Sequence, residues 1–362
     1  MSREAGGRGT ITLLQAGRAG AAVAVVAYHA AIATRDFAEA LPAAAFALFE
    51  RGTFGVDFFF VLSGFIIVHA HADDSRGAGP ARAYAAKRLS RIYLPYLPVS
   101  LAMIALYAGL PGISGASRDW SLTTSLTLLP TGSPPALAAA WTLVHEMMFY
   151  ALFLVSYFVR GFPWIVAAWV GAILAGIGLG LQTAYAAPSL WSVLAPINAE
   201  FVAGMGAALA VRAFSPARSP ALAWPCLAAG LAGVAAFFAL AVDPAGPLRM
   251  LFGVAVASAV AGGAWLERAG RLRAPPALVL LGDASYAIYL VHSPVISLAA
   301  RIAGRYEPFR AWPACLALCI GLGVASGLLY HLAFERPALA WLRRRLPRRA
   351  ATVGPSGPSA GH

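Results

Sequence analysis

The apolar segment LLQAGRAGAAVAVVAYHA carries Arg18 and His29, eleven residues apart. On a helix that spacing is close to three full turns, so both side chains share a face with a rise of about 16 Å between them. An imidazole can take a proton from a hydroxyl, and a guanidinium can hold an anion. A charged side chain at the centre of a membrane helix costs roughly 2.5–3.5 kcal/mol on insertion scales, so it usually has a task. Three further apolar segments bring polar groups. GVDFFFVLSGFII carries Asp57, with Ser63 and Gly64 mid-segment. WTLVHEMMFY carries Glu146, with His145 about a quarter turn aside. LGDASYAIYLVHSPV carries Ser285, Tyr289 and His292 at helical spacing on one face. Four segments thus place His29, Asp57, Glu146 and His292 at one depth toward the outer side, which predicts a shared polar chamber.

Each of these residues also has a structural role to weigh against the chemical one. Arg18 can snorkel to the surface, and the histidines can hydrogen-bond between helices. Asp57 can cap a helix, and Glu146 can sit wet beside an aromatic belt of Trp141 and Tyr150. Asn198 and Glu200, nearer mid-depth, read as packing contacts between helices. In KRLSRIYLPYL, Arg88 and Arg91 lie three apart on one face. Two planar guanidinium forks suit phosphate, although the same pair also serves as positive-inside charge.

The elements that position these groups are membrane helices. The chain has 362 residues, 60% hydrophobic and 12% charged, with mean hydropathy +0.71. A typical soluble domain is about 25% charged, so this balance excludes an ordinary soluble enzyme and a disordered scaffold. Apolar runs near the ~20 residues needed to cross a bilayer recur throughout. Ten candidate spans fall at 13–33, 54–70, 93–110, 139–159, 162–181, 190–211, 221–241, 248–266, 277–298 and 312–334. The reading is an all-α polytopic bundle of about ten transmembrane helices. With both ends inside, nineteen basic residues fall on inner segments and seven outside, Arg249 among the seven. That asymmetry predicts N-in, C-in. The net charge of +12 therefore reflects topology and not nucleic acid binding. The three cysteines, Cys226, Cys315 and Cys319, lack metal or redox spacing, and no metal site is expected. No removable signal peptide is read at the start. Residues 1–12 form a cytoplasmic N-terminus, 13–334 the membrane domain, and 335–362 a basic, then Gly/Pro/Ser-rich and partly disordered cytoplasmic tail.

In order along the chain, these motifs resemble the signatures of acyltransferase family 3, membrane O-acyltransferases. Arg18 and His29 fit its arginine, ten residues, histidine signature, and GVDFFFVLSGFII its second-helix signature. KRLSRIYLPY fits the arginine-x-x-arginine loop, and WTLVHEMMFY the tryptophan–Thr–Leu…Glu…Phe-Tyr motif. LGDASYAIYLVHSP and the late FERP match the final two. The matches cover about 320 residues, with small departures at Gly17, where a larger apolar residue is common, and at His145. The resemblance implies ten core helices and transfer of an acyl group, commonly acetyl, from acyl-coenzyme A to a sugar hydroxyl. The acceptor would belong to an exopolysaccharide, lipopolysaccharide or other exported glycoconjugate, and the layout is similar to the standalone exopolysaccharide-modifying branch. Multi-pass insertion in the inner or plasma membrane follows.

On that resemblance the two groups of residues acquire roles. Arg88 and Arg91, with Arg18, would hold acyl-CoA (acetyl-CoA) as cosubstrate, with no bound cofactor. His29 would act as general base, with Asp57 or Glu146 stabilising the imidazolium. Ser285, Tyr289 or His292 would orient the sugar or the oxyanion. Covalent acylation of His29 or Ser63 is the alternative route. Expected partners are the acyl-CoA, a carbohydrate acceptor, the lipid bilayer and polysaccharide-assembly proteins. Competing readings are a transporter or flippase of a lipid-linked glycan and a noncatalytic assembly partner.

Overall fold

The computed structural model describes residues 11–38, 41–110, 119–181, 185, 187–214, 220–240 and 248–345. The rest of the expected N-terminal segment and tail, 1–10 and 346–362, lies outside the described residues. Among the described residues the only regular structure is helical. The α-helices are α1 Thr12–Phe37, α2 Ala43–Glu50, α3 Gly55–His71, α4 Ala78–Gly109, α5 Leu122–Thr127, α6 Trp141–Leu154 and α7 Phe162–Gly178. They continue with α8 Ala199–Ala213, α9 Pro220–Ala239, α10 Arg249–Arg268, α11 Pro276–Asp283, α12 Ser285–Ala303, α13 Trp312–Tyr330 and α14 Arg336–Arg345.

All ten expected spans have a helical counterpart. Among the described residues, eight segments are long and apolar enough to cross a bilayer, so the chain is a multi-pass membrane protein. α7 is apolar but shorter, at 17 residues. The span expected at 190–211 is two 3-10 turns, Leu190–Leu194 and Pro196–Asn198, followed by α8. The span expected at 277–298 breaks at Ala284 into α11 and α12. α4 begins fifteen residues before the expected 93 and runs 32 residues, about 48 Å. The last helix does not stop at 334. A π turn, His331–Glu335, carries it into α14, and the helical stretch Trp312–Arg345 runs about 51 Å. Both lengths exceed the roughly 30 Å hydrocarbon core.

Helix association in lipid depends on close packing more than on water exclusion, and small residues allow it. α3 and α8 touch backbone to backbone. A Cβ at Gly64 would strike the Phe201 carbonyl, and one at Gly204 the Val61 carbonyl. The start of α1 has no capping side chain of its own. Glu267, at the end of α10, supplies one by accepting from Thr12 N at 2.6 Å and Leu13 N at 2.7 Å. A carboxylate there satisfies orphan amides and opposes the helix dipole.

α1 and α12 run parallel. Arg18 meets Ser285, and one face further along His29 meets His292, with sequence offsets of 267 and 263. α13 packs on both α12 and α1. α4 contains Pro95 and Pro98, each of which removes a backbone donor from the helical ladder. Around them, Tyr286 donates to the Ile92 carbonyl at 3.0 Å and Tyr330 to the Pro95 carbonyl at 2.8 Å. These bonds fasten the turn next to Arg88 and Arg91 to the α12 and α13 side of the bundle.

Candidate active site

A cavity of about 290 Å³ lies among α1, α3, α4, α6 and α12. Its polar lining includes Gln15, Arg18, Ser63, Arg88, Arg91, Glu146, Tyr150 and Ser285. Its apolar lining includes Val56, Phe59, Phe60, Leu62, Ile66, Leu143 and Phe201. Val56 and Ile66 are ten residues apart on α3, so the cavity follows that helix for about 15 Å.

Three guanidiniums converge at one end. Arg18 is 7% exposed, and its Nε donates to Ser285 Oγ at 3.0 Å. Ser285 occupies that position because the break at Ala284 makes it the first residue of α12. Arg88 lies over the rings of Tyr84 and Tyr150, 5.9 and 5.6 Å from their centroids. Its Nε is buried without a hydrogen-bond acceptor. A buried guanidinium donor lacking an acceptor suits an anionic ligand. Glu146 accepts from Ser63 Oγ at 2.9 Å and from the Tyr150 hydroxyl.

Toward the other end of the cavity Thr142, Tyr289 and Phe59 line it in mutual contact. Beyond Tyr289 lies His292, with ring centroids 5.7 Å apart, and His292 in turn meets His29 at 4.9 Å. The hydrogen bonds of the two histidines define their tautomers. His29 Nδ1 lies 2.9 Å from the Val25 carbonyl, and His292 Nδ1 lies 3.1 Å from the Ile288 carbonyl. A carbonyl only accepts, so each Nδ1 carries the proton. His292 Nε2 is then a lone pair 3.3 Å from His29 Nδ1, sharing as a longer, second acceptor the one Nδ1–H that is directed at Val25. The neutral pair leaves the lone pair of His29 Nε2 available to a proton, as a general base requires.

The expected single chamber is therefore divided. His29 and His292 form one group, and Glu146 belongs to the arginine-lined cavity. Asp57 joins neither. It is fully buried and takes a two-pronged ion pair from Arg249, with Nε–Oδ1 at 2.5 Å and Nη2–Oδ2 at 2.7 Å. Glu200 lies 3.7 Å from the same guanidinium. The physical reason is the start of α3. Gly55 packs on the Ala21 carbonyl and the Val25 side chain, and Gly52 on Ala24, so residues 43–54 occupy the level of His29. Asp57 lies inward of that level and turns to α10. Arg249, expected among the outer loop charges, is 5% exposed at the start of α10.

Arg18, Arg88, Arg91, Glu146, Ser285 and Tyr289 all line the cavity, together with Ser63. The spacing did not single out Thr142, Gln15 or Tyr286, which also line it. Thr142 was visible inside the quoted tryptophan–Thr–Leu motif; the other two carry no signal beyond a polar tip on a buried face. His145 bonds Asn198 Oδ1 at 3.0 Å through Nδ1, away from the cavity. Among the described residues no cluster of three or more His, Cys, Asp or Glu is placed to hold a metal.

Comparison with known proteins adds a second line of observation. Residues 12–330 match the family model described as "Acyltransferase domain". The exopolysaccharide production protein ExoZ of Rhizobium meliloti is 33% identical over 329 residues, covering 86% of this chain and 96% of that protein. Acyltransferase MdmB of Streptomyces mycarofaciens is 30% identical over 365 residues, covering 90% of this chain and 91% of that protein. No solved structure matches significantly.

Proposed function

Because the chain belongs to this acyltransferase family, we propose that it moves an acyl group, acetyl in the simplest case, from acyl-coenzyme A to a hydroxyl of an exported carbohydrate. The carbohydrate acceptor is supported by the similarity to a protein named for exopolysaccharide production. The donor is supported by the chemistry of the cavity, whose three arginines suit phosphates and whose apolar walls suit a pantetheine arm.

The observation that carries the reading is the shared frame of α1 and α12. One pair of parallel helices holds Arg18 with Ser285 at one level and His29 with His292 at another. The Arg18–His29 rise of about 16 Å is comparable to an extended pantetheine. Phosphates bound at Arg88, Arg91 and Arg18 would direct the thioester along the cavity toward the histidines. A thioester is already activated, so the protein's tasks are to remove a proton and to stabilise the oxyanion. His29 Nε2 takes the hydroxyl proton as the oxygen attacks the thioester carbonyl. The C–S bond then breaks, an ester forms, and the proton passes to the departing sulfur. The His292 lone pair facing His29 Nδ1–H holds the base in orientation and supports the imidazolium while it exists. In this reading the N-terminus and tail face the cytoplasm, where coenzyme A is made, and the membrane is the cell's inner or plasma membrane. Asp57 serves the bundle and not the base.

The test is direct. Purified protein in detergent receives acetyl-CoA labelled in the acetyl group and an unacetylated polysaccharide or oligosaccharide. The expected result is free thiol and labelled carbohydrate in equal amounts. A folded preparation that leaves the thioester intact with every carbohydrate offered refutes the proposal. Movement of a lipid-linked glycan across vesicles without thioester loss would instead support the transporter.

A further inference from the structure

Tyr289 stands between the two halves of the site. It lines the cavity on one side, and on the other its ring packs against His292 with an interplanar angle of 41°. Its hydroxyl donates to the Ala139 carbonyl at 2.9 Å and meets the Thr142 hydroxyl at 2.9 Å. Ala139 belongs to a short 3-10 turn, Ala138–Ala140, immediately before α6. These bonds tie α12 to the start of α6 at that end of the cavity. Phe59 from α3 packs beside them, 6.2 Å from the Tyr289 ring. Side chains from three helices therefore meet between the arginine-lined cavity and the histidine pair.

We propose that Tyr289, latched to Thr142 and Ala139, is a gate that separates the acyl-donor cavity from the histidine pair and couples thioester cleavage to the presence of the acceptor. The inference rests on the acyl-CoA reading above. With the latch closed, the thioester and the base lie on opposite faces of one ring. Turning Tyr289 about χ1 breaks two hydrogen bonds and two ring contacts, to Phe59 and His292. Acceptor arriving beside His292 displaces that ring. The gate matters because the base does not distinguish hydroxyls. Open to solvent, the same machinery would add water to the carbonyl, break the C–S bond and release a carboxylic acid with the thiol. A closed ring keeps water and donor apart until the sugar hydroxyl is in place.

The experiment measures two products from labelled acetyl-CoA: acetate, and acetylated carbohydrate, with and without acceptor. Wild type should give little acetate. Tyr289→Leu removes the ring and should raise acetate formed per acetyl transferred at least tenfold. Tyr289→Phe and Thr142→Val keep the packing and remove the hydroxyls, and each should raise the ratio severalfold. Wild-type ratios in the two conservative variants, or parallel loss of both products in all three, overturn the gate. If Tyr289→Leu does not elute as a folded protein, Tyr289→Phe and Thr142→Val decide alone. Wild type that consumes no donor overturns the acyl-CoA reading itself. Donor consumption with an unchanged ratio in the variants overturns the gate and leaves that reading standing.

Discussion

Consider Asp57→Asn, the smallest change that removes the charge facing Arg249. Asp57 accepts two hydrogen bonds of 2.5 and 2.7 Å from a guanidinium that is itself 5% exposed. Hydrogen bonds to charged groups contribute about 1.5–3 kcal/mol each, and breaking a buried pair by removing one partner costs about 3–5 kcal/mol. Asparagine keeps one acceptor, and the Glu200 carboxylate lies 3.7 Å from Arg249 Nε, so compensation is at hand. The loss should fall near the lower limit, about 3 kcal/mol. Arg249→Gln is more severe, because it leaves Asp57 and Glu200 together with no cation, and should approach about 5 kcal/mol. In the double variant the two losses should not add, and a coupling of roughly 1–3 kcal/mol is expected for groups in direct contact. Domains of 150–250 residues lose about 2–4 °C in melting temperature per kcal/mol and larger chains less, so Asp57→Asn should melt at most about 6 °C below wild type. The assay is thermal unfolding in detergent, followed by acyl transfer measured well below the lowered melting point. The transfer rate there should stay within a few-fold of wild type. Wild-type melting together with abolished transfer would refute this reasoning and return Asp57 to the chemistry.

Other outcomes are equally specific. His29→Ala should abolish transfer at unchanged protein level and donor affinity, whereas His292→Ala, which loses only the orienting lone pair, should lower the rate by about 10–100-fold; rates and donor binding measured together check both. Arg88→Ala with Arg91→Ala should weaken acyl-CoA binding by at least tenfold, because one lost charge-assisted contact of about 1.5 kcal/mol corresponds to that factor; unchanged affinity in titration would assign the pair to topology alone. Gly204→Val should place methyl groups against the Val61 carbonyl, separate α3 from α8 and reduce folded yield, read by size-exclusion chromatography. A reporter enzyme fused after His362 should be active on the cytoplasmic side, and activity on the outer side would invert the assigned faces.

What sequence could reveal here was local. The eleven-residue offset of Arg18 and His29 belongs to one helix, so helical geometry alone put them on one face, and both do meet α12. The Ser285–Tyr289–His292 stripe was legible for the same reason. Which helix a polar face turns toward is a tertiary property. Asp57 and Arg249 are 192 residues apart, and nothing in either segment specifies that pairing. The level of Asp57 relative to His29 is a tertiary property too. Counting apolar residues from 54 treats the second span as one straight crossing, whereas Ala43–Glu50, the turn Arg51–Phe54 and α3 form a longer path with two glycines pressed onto α1. Hydropathy puts Arg88 and Arg91 at the mouth of a span that begins at 93, whereas α4 begins at 78 and presents them within its length, beside the proline-loosened turn.

The division of the polar residues into three groups bears on why this bundle holds so many charges. Arg249 with Asp57 and Glu200 packs α10, α3 and α8, and it has no part in lining the cavity. Glu267 ties α10 to the start of α1. Together they brace α1 and α3 from the side of α10, and α12 and α13 brace α1 from elsewhere. A helix held at several points along its length positions Arg18 and His29 as a rigid ruler. A reaction that must bring a thioester and a hydroxyl within about 3–3.5 Å needs such a fixed frame, because small misplacements cost large factors in rate. Loosening the distant brace should therefore slow transfer mostly by lowering the fraction of folded, correctly spaced protein. Loosening Tyr289 acts on a different quantity, the choice between sugar and water. Stability and product ratio are thus separable measurements, each reporting on a different part of the same bundle.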